Sequence, residues 1–396
     1  MLSTLTPPPP GEKRTLPRSV VVLGFVSLFM DISSEMIHAL LPIFLVTVVG
    51  ASAMSVGIIE GIAEATAAFV KVFSGAISDW IGRRKPLLLI GYGLAAACKP
   101  LFAMATGIGT VLTARTIDRV AKGIRGAPRD ALIADVTPKD MRGAAYGLRQ
   151  SLDTVGAVAG PLLAIVLMAA TADDFRFVFW VAVIPAFVCV ALIIFGVQEP
   201  ARTQTLKPRP FPIQRSEMAR LPRIFWQVTV LGAVVTLARF SEAFLLLRAQ
   251  GVGLAITWVP VILVLMNLIY ALSAYPLGML SDKVNRKHML AAGIGLLIAA
   301  DIVLALAHNA WAVGAGALLW GLHMGATQGL LAAIVADAAP EDLRGTAFGV
   351  FNLMSGVALL AASVIAGALW TYFSPALTFY AGAVFAAVAL AGLMRR

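Results

Sequence analysis

Charged residues are scarce in this sequence. Asp, Glu, Lys and Arg together make up 13% of the 396 residues, whereas a soluble globular domain carries about 25%. Hydrophobic residues make up 59%, and they fall in runs long enough to cross a lipid bilayer as helices. The composition therefore excludes a soluble globular protein and indicates a membrane protein built from helices.

Cysteine and histidine are also rare, with two and four residues. Cys98 and Cys189 lie far apart in apolar segments, which excludes a disulfide framework or a cysteine zinc site. The sequence contains neither a His-Glu-x-x-His segment nor the Gly-Lys-Ser/Thr segment of an ATP-binding loop. We therefore expect no enzyme, no metal site and no cofactor, and an ion gradient as the energy source.

The net charge of +10 does not indicate nucleic-acid binding, because the basic residues lie mostly in short clusters between apolar runs. This is the pattern that the positive-inside rule describes for cytoplasmic loops. Only Arg176 and Arg248 fall on the other side. The pattern predicts a multi-pass protein of a bacterial-type cytoplasmic (inner) membrane with both termini in the cytoplasm.

The apolar runs form two sets of six predicted transmembrane helices. The predicted spans are roughly 20–49, 53–78, 86–106, 108–136, 143–171 and 175–197, then 223–249, 254–280, 288–308, 310–338, 345–372 and 375–394. They predict an all-α integral membrane fold in four parts. These parts are a disordered cytoplasmic tail (1–18), an N-terminal six-helix bundle (19–197), a cytoplasmic linker (198–222) and a C-terminal six-helix bundle (223–396).

The two halves of the chain are related in sequence. Residues 131–147 align with 333–349, and the polar residues match in register. The matched pairs are Asp135 with Asp337, Pro138 with Pro340, Asp140 with Asp342 and Arg142 with Arg344. Such a match is not expected from chance in an Ala- and Gly-rich chain, and it predicts two parallel structural repeats.

The loop after the second span, and its counterpart in the second half, carry a motif of glycine, aspartate and basic residues. The residues that match are Gly75, Asp79, Gly82, Arg83, Asp282 and Arg286. Their spacing resembles the loop signature of the major facilitator superfamily, although Trp80 and Asn285 depart from it. In motif pattern the sequence is most similar to the twelve-helix proton-coupled antiporters of drugs and metabolites.

The resemblance implies twelve helices in two parallel six-helix repeats, and transport by alternating access. In the family the loop motif latches the two halves together in the outward-facing state, so the matching residues are expected to form a conformational latch. The alternative is that the basic residues only fix topology and touch anionic lipid.

Two further segments resemble family signatures. Arg119 and Gly123 match the fourth-helix signature, in which an arginine is implicated in proton transfer. Gly156, Gly160 and Pro161 match the start of the antiporter signature, but the glycine pair that closes it is absent. The resemblance favours export by proton antiport and leaves proton-coupled import open.

Ionisable residues inside predicted spans are candidates for function, because each costs several kcal/mol in lipid. In this family the first, fourth, seventh and tenth helices line the central cavity. The candidates for proton coupling or the substrate cavity are Asp31, Glu35, Arg115, Arg119, Arg239, Glu242 and His323. Asp31 and Glu35 lie one helical turn apart near mid-membrane, and Arg119 is expected opposite them. Glu35 is the preferred proton carrier, because Ser241-Glu242 echoes Ser34-Glu35.

Alternatives stay open for the roles of these charged residues and for the class of transported solute. The charges could form a permanent ion-pair network that only holds helices together, and His323 could be a packing residue. Lys71 is expected to pair with Glu64 or a neighbouring span. A transition-metal transporter is the remaining class, since histidine and methionine side chains could bind a soft cation. Otherwise the sequence predicts a monomeric, proton-coupled transporter of a small charged or zwitterionic organic solute, with no nucleic-acid partner.

Overall fold

The structure, a computed structural model, describes residues 16–81, 83–138, 141–199, 218–281, 284–339 and 343–395. Within these ranges the first half forms seven helices, which are α1 (Arg18–His38), α2 (Leu41–Thr47), α3 (Ala53–Ile81), α4 (Lys85–Ala103), α5 (Ile108–Val136), α6 (Arg142–Ala170) and α7 (Phe175–Gly196). The second half forms α8 (Arg223–Ala238), α9 (Ala243–Gly251), α10 (Val261–Ser281), α11 (Arg286–Ala305), α12 (Ala310–Ala338), α13 (Arg344–Tyr372) and α14 (Pro375–Met394). A 3₁₀ turn, Ile256–Trp258, precedes α10.

These helices make twelve spans, because α1 with α2 and α8 with α9 each form one broken span. Nine helical segments within the described ranges are apolar and long enough to cross a membrane. The other three, α3, α5 and α12, have 29 residues each, or about 43 Å of helix, and include buried polar side chains such as Glu60, Arg115 and His323. The predicted fold of twelve transmembrane helices is confirmed.

The two broken spans were predicted as continuous helices, and the structure corrects this. The first span is interrupted at Ala39 and Leu40, just before Pro42 in the first turn of α2. Proline has no N–H for the preceding helical turn, so a new helix starts there. The seventh span is interrupted between Arg239 and Glu242, and the hydroxyl of Ser241 accepts the N–H of Ala243 at 3.3 Å.

The two halves pack by one scheme. In the first half α1 packs against α6 and α7, while α5 packs against α3 and α4. In the second half α8 packs against α13 and α14, while α12 packs against α10 and α11. The halves meet along α3 with α13 and along α6 with α10, which are equivalent pairs in the two repeats. The repeat predicted from the sequence is therefore a structural repeat.

An even number of spans puts both ends of the bundle's chain on one side, here called the terminal face. The opposite face carries Arg176 and Arg248, the two exceptions to the charge pattern. Arg176 donates to the carbonyls of Ala103 and Ala105 at 2.8 Å, where α4 ends. Arg248 does the same for three carbonyls at the end of α11. Both arginines cap helix C-termini, where cations are favourable.

The outer surface of the bundle is apolar. Large side chains such as Trp311, Phe195 and Leu272 are 90%, 84% and 64% exposed. This much exposed apolar surface is suited to lipid rather than to water. The predicted tail (1–18) and linker (198–222) fall mostly on 1–15 and 200–217, which lie outside the described residues.

Candidate functional site

A cavity of about 590 Å³ lies between the two halves. It is lined by α1, α3, α4, α5 and α6 of the first half, and by α8, α12 and α13 of the second. The lining residues run from the middle of the bundle toward the terminal face, for example 122–130 on α5 and 348–359 on α13. The cavity therefore belongs to the interface that alternating access would open and close.

Toward the opposite face the halves are in close contact. Gly57 on α3 lies so near the carbonyl of Ser363 on α13 that a side chain at position 57 would collide with it. The N–H of Met54 donates to the Thr371 hydroxyl at 2.9 Å. The Thr257 hydroxyl donates to Asp173 at 2.5 Å, across the loops of the two halves. These contacts close the cavity on this side.

One buried chain of charges links α1, α3 and α5. The Nδ1 of His38 lies 3.3 Å from Glu35, and its Nε2 lies 3.8 Å from Glu60. Arg115 donates to the same Glu60 carboxylate at 2.7 Å, and both of these side chains are 2% exposed. Arg115 and Glu35, two of the predicted residues, therefore belong to one network, joined through His38 and Glu60.

A second chain of charges links α3, α4 and α5. Lys99 donates to Asp118 at 2.9 Å and to the Ser34 hydroxyl at 3.0 Å. Arg119 donates to Asp118 and to Glu64, each at 3.0 Å. Sequence reasoning missed Lys99, although a single lysine inside an apolar run was a signal for a buried ion pair.

The structure corrects the predicted surroundings of Arg119. Its guanidinium pairs with Asp118 and Glu64, and none of the ion pairs formed by the described residues joins it to Asp31 or Glu35. Glu64 pairs with Arg119, and among the described residues Lys71 forms neither the expected pair with Glu64 nor one with a neighbouring span. Lys71 instead lines the cavity.

Asp31 lines the cavity at mid-bundle. No side chain in the described part of the chain forms an ion pair with it. Glu35, one turn further along α1, contacts His38 and is absent from the described cavity lining. The two carboxylates that the sequence treated alike are thus in different surroundings.

The glycines of the antiporter-like segment pack directly behind these two carboxylates. A methyl group added at Gly156 would lie 2.8 Å from the Asp31 Cβ, and one at Gly160 would lie 2.7 Å from the Glu35 Cβ. Pro161 follows within α6. The motif therefore permits close packing of α6 on the acidic face of α1.

A third set of charges lies nearer the terminal face. Arg129 contacts Asp130 at 3.2 Å and the Ser27 hydroxyl at 3.0 Å. Arg149 contacts Asp153 at 2.8 Å and Asp130 at 3.9 Å. Sequence reasoning did not select Arg129, Asp130 or Arg149 for the site.

In the second half, Arg239 lines the cavity at the break of the seventh span, and Glu242 is the N-cap residue of α9 on the other side of that break. His323 is 0% exposed and its Nδ1 lies 2.7 Å from the carbonyl of Gly293 on α11. It faces the packed interior of the second half. The structure thus favours the packing alternative for His323 and corrects its placement in the cavity.

The predicted latch is only partly described. Gly82 and Asp282 lie outside the described residues, as does the side chain of Asp79. Gly75 lies near Ala127 of α5. Arg83 is exposed, whereas Arg84, 4% exposed, bonds Ser78 and Asp135.

The basic residue of the latch region that binds α5 is thus Arg84, not Arg83. In the second half Arg286 pairs with Asp337. The repeat aligns Asp337 with Asp135, whereas the loop motif aligns Arg286 with Arg83. Each pair connects the loop after the second span of a repeat (α3 or α10) with the end of its fourth span (α5 or α12).

Comparisons with known proteins agree with this architecture. A family model described as Major Facilitator Superfamily matches residues 23–266 and 244–396. The chain is 32% identical over 384 residues to an uncharacterized MFS-type transporter of Methanocaldococcus jannaschii, covering 95% of this chain and 94% of that protein. It is 26% identical to the inner membrane transport protein YajR of Escherichia coli, covering 96% of this chain and 82% of that protein.

A solved structure described as a bacterial homolog of the human lysosomal transporter Spinster has the same fold. It superposes with a TM-score of 0.75 at 15% identity, covering 97% of each chain.

Proposed function

Because the chain belongs to the Major Facilitator Superfamily, and is a transporter and not an enzyme, we propose that it exports a small charged organic solute in exchange for protons. The observation that carries the proposal is the carboxyl of Asp31 in the cavity between the halves, which forms no ion pair with any described residue. A carboxyl group at this depth in a membrane protein costs folding free energy, so its presence indicates a functional role. Binding and release of a proton is the use that its position supports.

Asp31 is a better candidate for the proton site than Glu35. Its side chain reaches the cavity, through which protons and solute must both pass. Glu35 is held by His38, within the buried chain that continues to Glu60 and Arg115. The geometry therefore shifts the proposal from Glu35, which sequence reasoning preferred, to Asp31.

The two buried chains of charges would then serve the structure of the first half. Each carboxylate in them faces one or two basic side chains at 2.7 to 3.8 Å. Such pairs hold α3, α4 and α5 in one arrangement, because separating them leaves a buried charge without a partner. A rigid first half that presents Asp31 to the cavity is suited to rocking against the second half.

Export, and a cytoplasmic position for both termini in a bacterial-type inner membrane, are supported by two sequence features. Gly156, Gly160 and Pro161 resemble the start of an antiporter signature, and the loop lysines and arginines lie overwhelmingly on the terminal side. A cavity that extends toward the terminal face would then take up solute from the cytoplasm. Metal transport gains no support, since among the described residues no group of three or more His, Cys, Asp or Glu side chains is arranged so that it could hold a metal ion.

The test is solute flux in proteoliposomes with and without an imposed pH gradient, using a panel of organic acids, amines and zwitterions. A pH-sensitive dye records proton movement. We expect Asp31→Asn to abolish pH-driven flux and proton movement while retaining exchange of labelled for unlabelled solute, which needs no net proton transfer. Glu35→Gln is the matched control, one turn away on the same helix, and should keep pH-driven flux.

Wild-type pH-driven flux in Asp31→Asn would contradict the proposed proton site. Solute and protons moving in the same direction would make the protein an importer of the symport type.

A further inference from the structure

We propose that the transported solute is an organic anion. Its negative group would be held by Lys71, Lys122 and Arg239, and its apolar part would lie against Phe348 and Phe351. This assignment rests on the proposed function, because it gives a chemical class to the ligand of the same cavity.

The acidic side chains of the cavity are nearly all neutralised by ion pairs. Four acidic residues line the described cavity, and three of them have partners. The pairs are Glu64 with Arg119 at 3.0 Å, Asp130 with Arg129 at 3.2 Å and Asp153 with Arg149 at 2.8 Å. Only Asp31, the proposed proton site, stands without one. The cavity therefore offers little negative charge to hold a cationic solute.

The basic side chains are in the opposite situation. Five basic residues line the described cavity, and Arg129 alone is paired. Among the described residues Lys71, Lys122 and Arg239 form no ion pair. Arg125 lies over the Tyr92 ring at 4.9 Å, and its Nη1 is buried without a hydrogen-bond partner. The unneutralised charge of the cavity is thus positive, and a low-dielectric cleft with such a lining concentrates anions.

The three cations assigned to the anion come from both halves. Lys71 lies on α3 and Lys122 on α5 of the first half, whereas Arg239 lies at the broken seventh span of the second half. An anion bound among them would be attracted by both halves at once. Binding of the anion would therefore favour conformations in which the two halves lie closer together around the cavity, as alternating access requires.

The wall contributed by the second half combines apolar side chains with polar ones such as Thr327, Gln328 and Asn352. It includes Leu331, Phe348, Phe351 and Leu359, and Arg239 is its single charged member among the described lining residues. A volume of about 590 Å³ lies within the range of roughly 300–1,000 Å³ that accommodates drug-sized ligands. A cavity that presents these cations together with the Phe348 and Phe351 rings fits an amphipathic anion, which has both a charged group and an apolar body.

The experiment compares three probes that share one aromatic body. These are 2-naphthalenesulfonate, its neutral sulfonamide and the (2-naphthylmethyl)trimethylammonium cation. Binding to the full-length wild-type protein in lipid nanodiscs is measured by equilibrium dialysis, with empty nanodiscs as the background. We expect the sulfonate to bind at least about tenfold more tightly than either of the other two. A sulfonate that binds no better than the sulfonamide, or more weakly than the cation, overturns the proposal.

Charge-neutralising variants locate the site. Lys122→Gln and Arg239→Gln should each weaken sulfonate binding about tenfold and leave sulfonamide binding unchanged. Phe351→Ala should weaken both probes. The matched control is Lys287→Gln, a lysine at the terminal face outside the described cavity lining, which should change neither. Equal sulfonate affinity in wild type, Lys122→Gln and Arg239→Gln would contradict the assignment.

This binding assay needs no pH gradient. A protein that selects the sulfonate but shows no proton-coupled flux would retain the anion site and lose the proposed coupling. A protein that shows proton-coupled flux but binds the cation more tightly than the sulfonate would retain the proposed coupling and contradict the anion site.

Discussion

Glu60 and Arg115 illustrate how charges are kept inside this protein. Their side chains are each 2% exposed and 2.7 Å apart. Removing two ions from water costs several kcal/mol per ion, and the attraction between them offsets this only while both are present. The pair therefore stabilises one arrangement of α3 and α5, although an apolar pair of the same volume could be as stable.

Glu60→Gln or Arg115→Gln alone should lower the free energy of unfolding by about 3–5 kcal/mol, since each leaves a buried charge unpaired. The double variant should lose less than the sum of the two single variants. The measurement is denaturant unfolding in mild detergent. Asp337→Asn is the control, because its pair with Arg286 is 65% and 39% exposed and such pairs contribute at most about 1 kcal/mol. Two single variants as stable as Asp337→Asn would contradict this account.

At the residue scale the sequence predicted which charged residues lie inside the membrane-spanning helices, but it did not predict which residues they contact. Asp31, Glu35, Arg115 and Arg119 stand out because charges inside apolar runs are rare. Their partners come from neighbouring helices, and helix rotation decides them. Lys99, for example, meets Asp118 on the antiparallel helix α5, which no spacing rule in the sequence specifies.

The packing of α6 on α1 shows how an element depends on side-chain size. At Gly156 and Gly160 an added methyl group would also lie 2.9 Å from the Leu28 carbonyl and 3.0 Å from the Ile32 carbonyl. Backbone atoms cannot rotate away as a flexible side chain can, so α1 itself would have to shift. This seam positions Asp31 against the cavity.

Gly160→Ala should destabilise the protein by about 1–3 kcal/mol, the usual cost of overpacking, and should slow transport. Gly93→Ala and Gly295→Ala are matched controls within α4 and α11, since nothing lies within 4 Å of the added methyl group. These two should be neutral or stabilising by up to about 1 kcal/mol, because alanine favours a helix more than glycine does. The comparison is thermal unfolding in detergent, and Gly160→Ala behaving like Gly93→Ala would contradict the packing argument.

At the element scale the sequence predicted the spans well, because hydrophobic run length and bilayer thickness fix them. It missed the interruptions of the first and seventh spans. Pro42 was a usable signal for the first. At the seventh, the residues Arg239 to Glu242 look like an ordinary polar site in a helix, and the interruption depends on the tertiary surroundings.

For the whole molecule, the repeat is the property that the sequence predicted most fully. The aligned segments 131–147 and 333–349 predict that the halves share one packing scheme, and equivalent helix pairs, α3–α13 and α6–α10, form the contact between them. The sequence could not predict which side of the cavity is closed, since that depends on the relative tilt of two similar rigid bodies. In this structure Met54 and Thr371 lie on the closed side.

The central claim is that this cavity opens alternately to the two sides of the membrane, and cysteine accessibility tests it most directly. In a protein with Cys98 and Cys189 replaced by alanine, Ser355→Cys places one thiol in the cavity wall. Arg83→Cys and Thr106→Cys mark the terminal and opposite faces. A membrane-impermeant maleimide is applied from either side of oriented proteoliposomes, with and without an imposed pH gradient.

We predict that cysteine 355 reacts from the terminal side alone at rest. Under the gradient it should gain reactivity from the opposite side, with a matching loss from the terminal side, while the two markers stay unchanged. Reaction of cysteine 355 from both sides at once in one population, or from a single side under every condition, would contradict alternating access.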